Sequence, residues 1–319
     1  MNAIECSGLG RTFGDRAAVE DLSLAIPSGT VFGFLGPNGA GKTTTVRMLT
    51  ALIAPTTGEA RVAGYQLGVE NQEIRQAVGI LTETPGMYER LSARQNLQFF
   101  ARLYGLDALT ADRQVERYLR LLGLWERRED RVGTFSKGMR QKLAIARAVL
   151  HEPRVVFLDE PTSGLDPEAS LVVRRFIHDL RGEGRTIFLT THNLPEADEL
   201  CDLIGVFRTR LLVVDTPQNL RARLFGRGTR VRVSGGASRW LETLRGLSFV
   251  RDVVAEGDAL RVTLADPDAE NPRLVRALVL AGAEIQSVEP VSHSLEEVYL
   301  GLLESRERKS LEPVGAGRL

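Results

Sequence analysis

The chain has 319 residues, 43% of them hydrophobic, and its 41 basic side chains balance 41 acidic ones. This length and composition are typical of a globular protein with about two domains, each able to bury a core. The zero formal net charge excludes an overall field that would favour nucleic acid or anionic lipid. Cys6 and Cys201 have no metal-ligand spacing, so we expect free thiols in a reducing compartment.

Membrane and secretion signals are absent from the sequence pattern. No apolar run approaches the roughly 18 residues that a transmembrane helix needs. The amino-terminal segment lacks the basic and then apolar plan of a secretory signal. We therefore expect a cytosolic chain that would need another subunit for any work across a membrane.

Residues 1 to about 225 alternate short apolar runs with helical patterns, which predicts an α/β domain. Three continuous apolar runs are typical of central strands covered by helices on both faces. These runs are 31–35, 155–158 and 186–191. Residues 84–150 have helical periodicity, with Ser92 and Gln95 spaced as a capping box. We interpret this block as a helical subdomain inserted into the α/β domain.

The pattern changes over residues 226–304, which predict a small α+β domain. Strand, helix, hairpin, helix and strand are predicted at 229–235, 237–247, 249–264, 271–283 and 284–291. This order is the ferredoxin-like plan. Residues 305–319 are charged and contain glycine and proline, so we predict a disordered tail.

The segment GPNGAGKT, residues 36–43, fits the phosphate-binding pattern G-x-x-x-x-G-K-[ST] without a mismatch. It follows an apolar strand and precedes helical sequence, and its glycines would let backbone N–H groups approach phosphate closely. Lys42 is expected to reach the β- and γ-phosphates, and the Thr43 hydroxyl to bind Mg²⁺. The residues predicted to contact nucleotide here are Gly36, Pro37, Asn38, Gly39, Ala40, Gly41, Lys42, Thr43 and Thr44. The motif by itself predicts a P-loop nucleotide hydrolase.

A second apolar strand, VVFLDE, ends in two carboxylates. Open α/β sheets bind ligands at the carboxyl ends of their strands. Asp159 is therefore a candidate ligand of Mg²⁺, directly or through water, and Glu160 a candidate general base for the attacking water. The alternative is a pair of solvated acids at a strand end, which the presence of a phosphate loop in the same chain disfavours.

The segment FSKGMRQKLAIARAV, residues 135–149, resembles the signature of the ATP-binding cassette (ABC) family and the helix that follows it. The usual form of that signature is Leu-Ser-Gly-Gly-Gln. Ser136 and Gly138 match it, whereas Lys137 and Met139 depart from it. Ser136 can cap a helix whose free N–H groups face a phosphate. In the family, that phosphate belongs to ATP held by the opposite subunit.

Further elements follow in the family's order and extend the resemblance over the whole α/β domain. The string SGLD, which ends at Asp166, matches the loop that crosses the dimer interface. His192 resembles the switch histidine that contacts the γ-phosphate, and Phe13 occupies the position where the family stacks an aromatic ring on adenine. Their alternatives are a structural histidine and a core phenylalanine. Glu83 stands where the family has a glutamine, and a carboxylate there could bind Mg²⁺ or its water.

The resemblance implies a P-loop NTPase cassette with ATP and Mg²⁺ as cofactors. It implies Lys42, Glu160 and His192 as catalytic residues, and Thr43, Glu83 and Asp159 as metal ligands. Because Ser136 and Gly138 would act on the nucleotide of an opposite cassette, the resemblance implies a dimer, most simply a homodimer with two ATP.

The second domain and the segment SLEEVYL, residues 294–300, resemble the carboxyl-terminal extension of bacterial drug-resistance exporters. The resemblance implies export of an unknown substrate through a separate transmembrane permease, from the inner face of the cell membrane. The alternative interpretation of residues 294–300 is an amphipathic helix that packs on the second domain.

Two other functions fit the sequence less well than transport. A soluble ABC ATPase acting on ribosomes or DNA usually carries two cassettes, long coiled coils or basic surfaces, none of which this sequence has. No nucleic-acid partner is therefore expected. A P-loop kinase or GTPase would leave the signature, SGLD and His192 unexplained, and the guanine-recognition string Asn-Lys-x-Asp is absent.

Overall fold

A computed structural model describes residues 1–82, 86–225, 227–291 and 294–301, with only the backbone described for residues 223–225 and 227. These residues form two compact units, Met1–Thr216 and a second unit that begins at Pro217. Glu83 and the predicted disordered tail, residues 305–319, lie outside the described residues.

The first unit contains two sheets and seven α-helices in the part of the chain that the structure describes. Its strands are β1 (Asn2–Phe13), β2 (Arg16–Pro27), β3 (Val31–Leu35), β4 (Thr57–Val62), β5 (Tyr65–Gln66), β6 (Val78–Leu81), β7 (Val155–Asp159), β8 (Thr186–Thr191), β9 (Leu203–Arg208) and β10 (Arg210–Asp215). Its helices are α1 (Lys42–Leu49), α2 (Asn71–Ala77), α3 (Ala93–Leu103), α4 (Ala108–Leu121), α5 (Lys137–Val149), α6 (Pro167–Gly182) and α7 (Leu194–Leu200).

The larger sheet has six strands in the order β10-β9-β3-β8-β7-β6. Strand β10 pairs antiparallel with β9, and the other neighbours pair parallel. Every residue of β3, β7 and β8 is buried, as their continuous apolar runs predict. The three strands predicted from those runs are confirmed, and their carboxyl ends lie at one edge of the sheet.

The smaller sheet is antiparallel, in the order β2-β1-β4-β5. Its buried side chains share one apolar core with the larger sheet and with α1. At the centre of this core, the Phe34 ring centroid lies 5.3 Å from that of Phe188 and 4.6 Å from that of Phe207. Burying each such ring contributes about 1.5–3 kcal/mol, so this cluster anchors the strands that carry the site.

The predicted helical subdomain is present as α3, α4 and the signature helix α5. The predicted capping box is confirmed, because the Ser92 hydroxyl accepts from the Gln95 N–H at 3.1 Å and the Gln95 side chain accepts from the Ser92 N–H at 2.9 Å. On α3, Leu97 and Ala101 are buried, whereas Tyr104 at its end is 37% exposed.

The second unit begins with α8 (Pro217–Phe225) and continues through β11 (Arg227–Val233), α9 (Leu241–Arg245), β12 (Val250–Glu256), β13 (Ala259–Leu264), α10 (Pro267–Leu280) and β14 (Ile285–Pro290). Its sheet has the order β12-β13-β11-β14, and all neighbours pair antiparallel. This connectivity confirms the predicted ferredoxin-like plan.

Helix α10 starts earlier than predicted. The pattern placed its start at residue 271, but the helix begins at Pro267, with Pro272 inside it. The Asp266 side chain accepts from the Ala269 N–H at 3.4 Å and so provides the amino-terminal cap. The predicted start was wrong because the Asp266 cap and Pro267 at the first helical position already define it.

Residues 295–301 are helical, and Leu295 and Val298 are buried, as expected of an amphipathic helix. Within the described ranges of the chain, no helix combines the length and apolar character needed to cross a membrane.

Candidate active site

A cleft of about 560 Å³ opens where the carboxyl ends of β3 and β7 meet the start of α1. It is lined by Phe13, Arg16, Ala18, Pro37, Asn38, Gly39, Gly41, Lys42, Thr43, Thr44, Asp159 and Glu160. All of these except Arg16 and Ala18 were predicted site residues. No sequence signal singled out those two, which lie at the start of β2.

The glycines of the phosphate loop are required by close packing. Gly41 precedes α1 with φ 105°, a backbone conformation that other residues rarely adopt. A Cβ at Gly41 would overlap the Ala18 carbonyl oxygen, and one at Gly36 would overlap the Phe207 carbonyl oxygen. The loop is therefore held tightly against its neighbours, with the first turn of α1 directed at the cleft.

Lys42 is 6% exposed and curls back over the phosphate loop. Its ammonium donates to the Gly36 carbonyl oxygen at 2.7 Å and lies 3.6 Å from Oε1 of Glu160. A buried cation is costly unless it is paired and hydrogen-bonded, and Lys42 has both kinds of partner. This arrangement concentrates positive charge inside the loop.

Thr43 and Asp159 meet across the cleft. The Thr43 hydroxyl donates to Oδ2 of Asp159 at 2.9 Å, and Asp159 is 2% exposed. The Thr190 hydroxyl donates to the other carboxylate oxygen, Oδ1. Thr190 was not predicted as a site residue, although a hydroxyl near the end of an apolar strand was a visible signal. The result is a fixed cluster of hydroxyl and carboxylate oxygens. Hard divalent cations prefer oxygen ligands of this kind.

Glu160 has φ 51°, in the left-handed region. Backbone strain of this kind costs about 1–3 kcal/mol and is concentrated at functional sites. The carboxylate points inward, with Oε2 2.8 Å from Nδ1 of His192. Among the described residues its Oε1 has no hydrogen-bond partner. Glu160 therefore has Oε2 oriented by His192, while Oε1 faces the Lys42 ammonium at 3.6 Å.

The signature residues lie apart from this cleft. The Ser136 hydroxyl accepts from the Met139 N–H at 3.2 Å and caps α5, as predicted. Asp166 caps α6 in the same way, accepting from the Ala169 N–H at 2.8 Å. Gly138 lies beside Ala169 and Asp166. Ser136, Gly138 and Asp166 thus form a second group on the same chain and do not line the cleft around Lys42.

The structure also shows what Phe13 and Lys137 contact. Phe13 is 48% exposed, and the Arg11 guanidinium lies 4.6 Å from its ring centroid, so the alternative of a core phenylalanine is wrong. Lys137 extends over Gly164 of the SGLD loop. Its charge therefore lies at the group formed by Ser136, Gly138 and Asp166.

Comparisons with known proteins agree with this architecture. Residues 19–163 match the ABC transporter family, and residues 216–302 match the C-terminal domain of DrrA1-3-like ATP-binding proteins. The first match contains the phosphate loop, the signature, Asp159 at the end of β7 and Glu160 directly after it.

Relatives match along nearly the whole chain. The linearmycin resistance ATP-binding protein LnrL of Bacillus subtilis is 30% identical, with 94% of this chain and 97% of that protein covered. The daunorubicin resistance ATP-binding protein DrrA3 of Streptomyces coeruleorubidus is 37% identical, with 94% and 95% covered. The solved structure of an ATP-binding subunit of an ABC transporter has a TM-score of 0.65 at 30% identity, covering 70% of this chain and 94% of that one. The chain therefore belongs to the ATP-binding subunits of ABC transporters, and it is an ATPase whose hydrolysis of ATP powers transport.

Proposed function

We propose that this chain binds ATP with Mg²⁺ in the cleft and hydrolyses it as one half of a homodimer. The released energy drives export through a separate transmembrane permease, with the chain bound peripherally at the inner face of the cell membrane. The observation that carries the proposal is the continuous line of contacts from Lys42 through Glu160 to His192.

The residues at the end of β7 fit a magnesium ion. Thr43 and Asp159 bring a hydroxyl and a carboxylate oxygen within 2.9 Å of each other, and Mg²⁺ prefers oxygen ligands of this kind. When bound, Mg²⁺ would neutralise negative charge on the β- and γ-phosphate oxygens. Glu83 remains a proposed third contributor from outside the described residues.

The chemistry assigned to the protein is positioning and proton transfer. Lys42 donates hydrogen bonds to the β- and γ-phosphate oxygens, and the loop N–H groups hold the phosphate chain. The oxygen of a water molecule attacks the γ-phosphorus as the bond to the ADP oxygen breaks, and Glu160 accepts the proton of that water. His192 holds the Glu160 carboxylate and adds a contact to the transferred phosphate. The products are ADP and inorganic phosphate.

A homodimer is supported by the separation of the two groups of site residues. Ser136 caps the 13-residue helix α5, whose first N–H groups could bind a phosphate, but it does not line the cleft of its own chain. In a C2 dimer the same two surfaces face each other twice, so each Ser136 would complete the cleft of the other chain.

A complementation experiment tests this shared site. Lys42→Ala disables the cleft, and Ser136→Arg blocks the group offered to the opposite chain. Each variant alone is expected to be inactive. When both are co-expressed, half of the dimers are mixed and each mixed dimer keeps one intact site, so we expect about a quarter of wild-type ATPase activity. Activity no higher than that of either variant alone would exclude a site shared between chains.

Export through a permease is supported by the second domain, which matches that of DrrA1-3-like proteins, and by relatives named for antibiotic resistance. The test is purification of the tagged chain from native membranes in mild detergent, followed by identification of its stoichiometric partners. A polytopic membrane protein would support the proposal. Recovery with ribosomes or DNA would instead favour a soluble ABC ATPase.

A further inference from the structure

The short helix α7 carries a buried carboxylate that the chemistry above does not use. Glu196 is 3% exposed and lies in the first turn of this helix. Its N–H donates to the Asn193 side chain at 3.2 Å, which caps the helix. No sequence motif singled out this residue.

Both oxygens of the Glu196 carboxylate are hydrogen-bonded to threonine hydroxyls. The Thr162 hydroxyl donates to Oε1 at 2.7 Å, and the Thr191 hydroxyl donates to Oε2 at 3.0 Å. The Thr191 oxygen also accepts from the Asn193 N–H at 2.9 Å. A buried carboxylate is costly unless it is hydrogen-bonded, and two hydroxyl donors satisfy this one.

The two threonines lie close in sequence to the proposed catalytic pair. Thr162 follows Glu160 by two residues, within a turn in which the Ser163 N–H donates to the Glu160 carbonyl oxygen at 3.2 Å. Thr191 directly precedes His192 at the end of β8. One buried side chain therefore connects the loop after β7 with the end of β8, next to the contact between Glu160 and His192.

We propose that Glu196 is a positioning residue for ATP hydrolysis, which ties the loop after Glu160 to the loop that carries His192. The proposal rests on the proposed roles of Glu160 and His192. A carboxylate suits this task because its two oxygens accept from two separate hydroxyl donors at once. An apolar replacement would leave both threonine hydroxyls without that partner and would free the two loops to move apart.

The variant Glu196→Ala tests the proposal, with Glu199→Ala as its matched control. Glu199 lies on the same helix, is half-exposed and is paired with Arg174 at 2.5 Å. Misplacement of catalytic groups by about 1 Å costs on the order of 100-fold in rate. We expect Glu196→Ala to lower kcat by about 10- to 100-fold while KM and the Kd for ATP change less than about twofold. Glu199→Ala should leave all three constants near wild type.

A conservative variant and a double-mutant cycle separate positioning from a general structural role. Glu196→Gln keeps one acceptor oxygen and is expected to recover part of kcat. In a Thr162→Val background, Glu196→Ala should cost less than it does alone, because the two residues share one interaction. If Glu196→Ala does not fold, the cycle with Thr162→Val and Glu196→Gln supplies the same readout.

Two outcomes overturn the inference. One is unchanged kcat in the folded Glu196 variants, and the other is a loss of ATP affinity that equals the loss of kcat. Near-normal turnover in Glu160→Gln would instead contradict the proposed catalytic roles, whatever the Glu196 variants do. An inactive Glu160→Gln together with a fully active Glu196→Ala would reject only the positioning role.

Discussion

Oε2 of Glu160 lies 2.8 Å from Nδ1 of His192. The two residues follow neighbouring parallel strands, in which Asp159 of β7 is paired with Thr190 of β8. Strand pairing therefore brings an acid and an imidazole from distant parts of the chain to the same edge of the sheet. Movement of either strand end would change the distance between the proposed base and its partner.

Replacing Glu160 by glutamine should preserve ATP binding and slow hydrolysis severely. The amide has nearly the shape of the carboxylate, but it cannot accept the proton of the attacking water. We expect kcat to fall by at least about 100-fold with little change in the Kd for ATP. Steady-state phosphate release and nucleotide titration measure the two quantities. Glu73, an exposed residue on α2, provides the control variant Glu73→Gln. Near-normal turnover in Glu160→Gln would show that Glu160 is not the general base.

Replacing Lys42 by alanine should weaken ATP binding itself. The ammonium lies inside the phosphate loop, 2.7 Å from the Gly36 carbonyl oxygen, where it would meet the phosphates. Loss of charge-assisted hydrogen bonds costs about 1.5–3 kcal/mol, which corresponds to at least a tenfold rise in Kd. Titration with a fluorescent ATP analogue would measure this Kd. Lys142→Ala on α5 serves as the control. Unchanged ATP affinity in Lys42→Ala would contradict the phosphate-binding role of Lys42.

Alanine at Gly41 should damage the site more than alanine at Gly64. Both glycines have positive φ, 105° and 91°, so each substitution carries backbone strain of about 1–3 kcal/mol. A Cβ at Gly41 would also overlap the Ala18 carbonyl oxygen, whereas a Cβ at Gly64 meets no atom within 4 Å. Denaturant unfolding and ATP titration of both variants check this. Equal losses of stability and of ATP affinity in the two variants would show that close packing at Gly41 contributes nothing.

His151 should make stability sensitive to mild acid. Its ring stacks on Tyr104 with centroids 3.8 Å apart, and Nε2 lies 3.1 Å from the Val78 carbonyl oxygen. Burial, together with the smaller effect of the Arg185 charge, lowers the pKa of His151 from 6.5 to about 4, although the hydrogen bond to the Val78 carbonyl oxygen opposes this shift. The unfolded chain therefore takes up this proton first, so stability present above pH 6.5 is lost as pH falls towards about 4. The loss amounts to at most about 3 kcal/mol.

Urea unfolding of wild type and His151→Phe between pH 7 and 4 measures this contribution. The phenyl ring keeps the stacking on Tyr104 but cannot be protonated, so the variant should lose less stability across that range. His178→Gln removes an exposed imidazole from α6 and controls for the loss of a histidine. Parallel pH curves for wild type and His151→Phe would refute the prediction.

Much of the architecture could be predicted from the sequence because it depends on local patterns. Continuous apolar runs predicted β3, β7 and β8, and the spacing of Ser92 and Gln95 predicted a capping box. The phosphate loop is likewise one contiguous segment, whose glycines and Lys42 signal their role by spacing alone. The start of helix α10 was predicted four residues too late, because the cap that defines it depends on the Asp266 side chain reaching the Ala269 N–H.

The sequence by itself determined the family, the two-part α/β and α+β organisation, and nearly all the residues that line the cleft. Only the tertiary structure decided how those residues meet: Thr190 on Asp159, His192 on Glu160, and Glu196 between Thr162 and Thr191. These pairs join the ends of β7 and β8, about 30 residues apart in sequence. Their contacts depend on strand register and burial, which emerge only when both strands pack into one sheet.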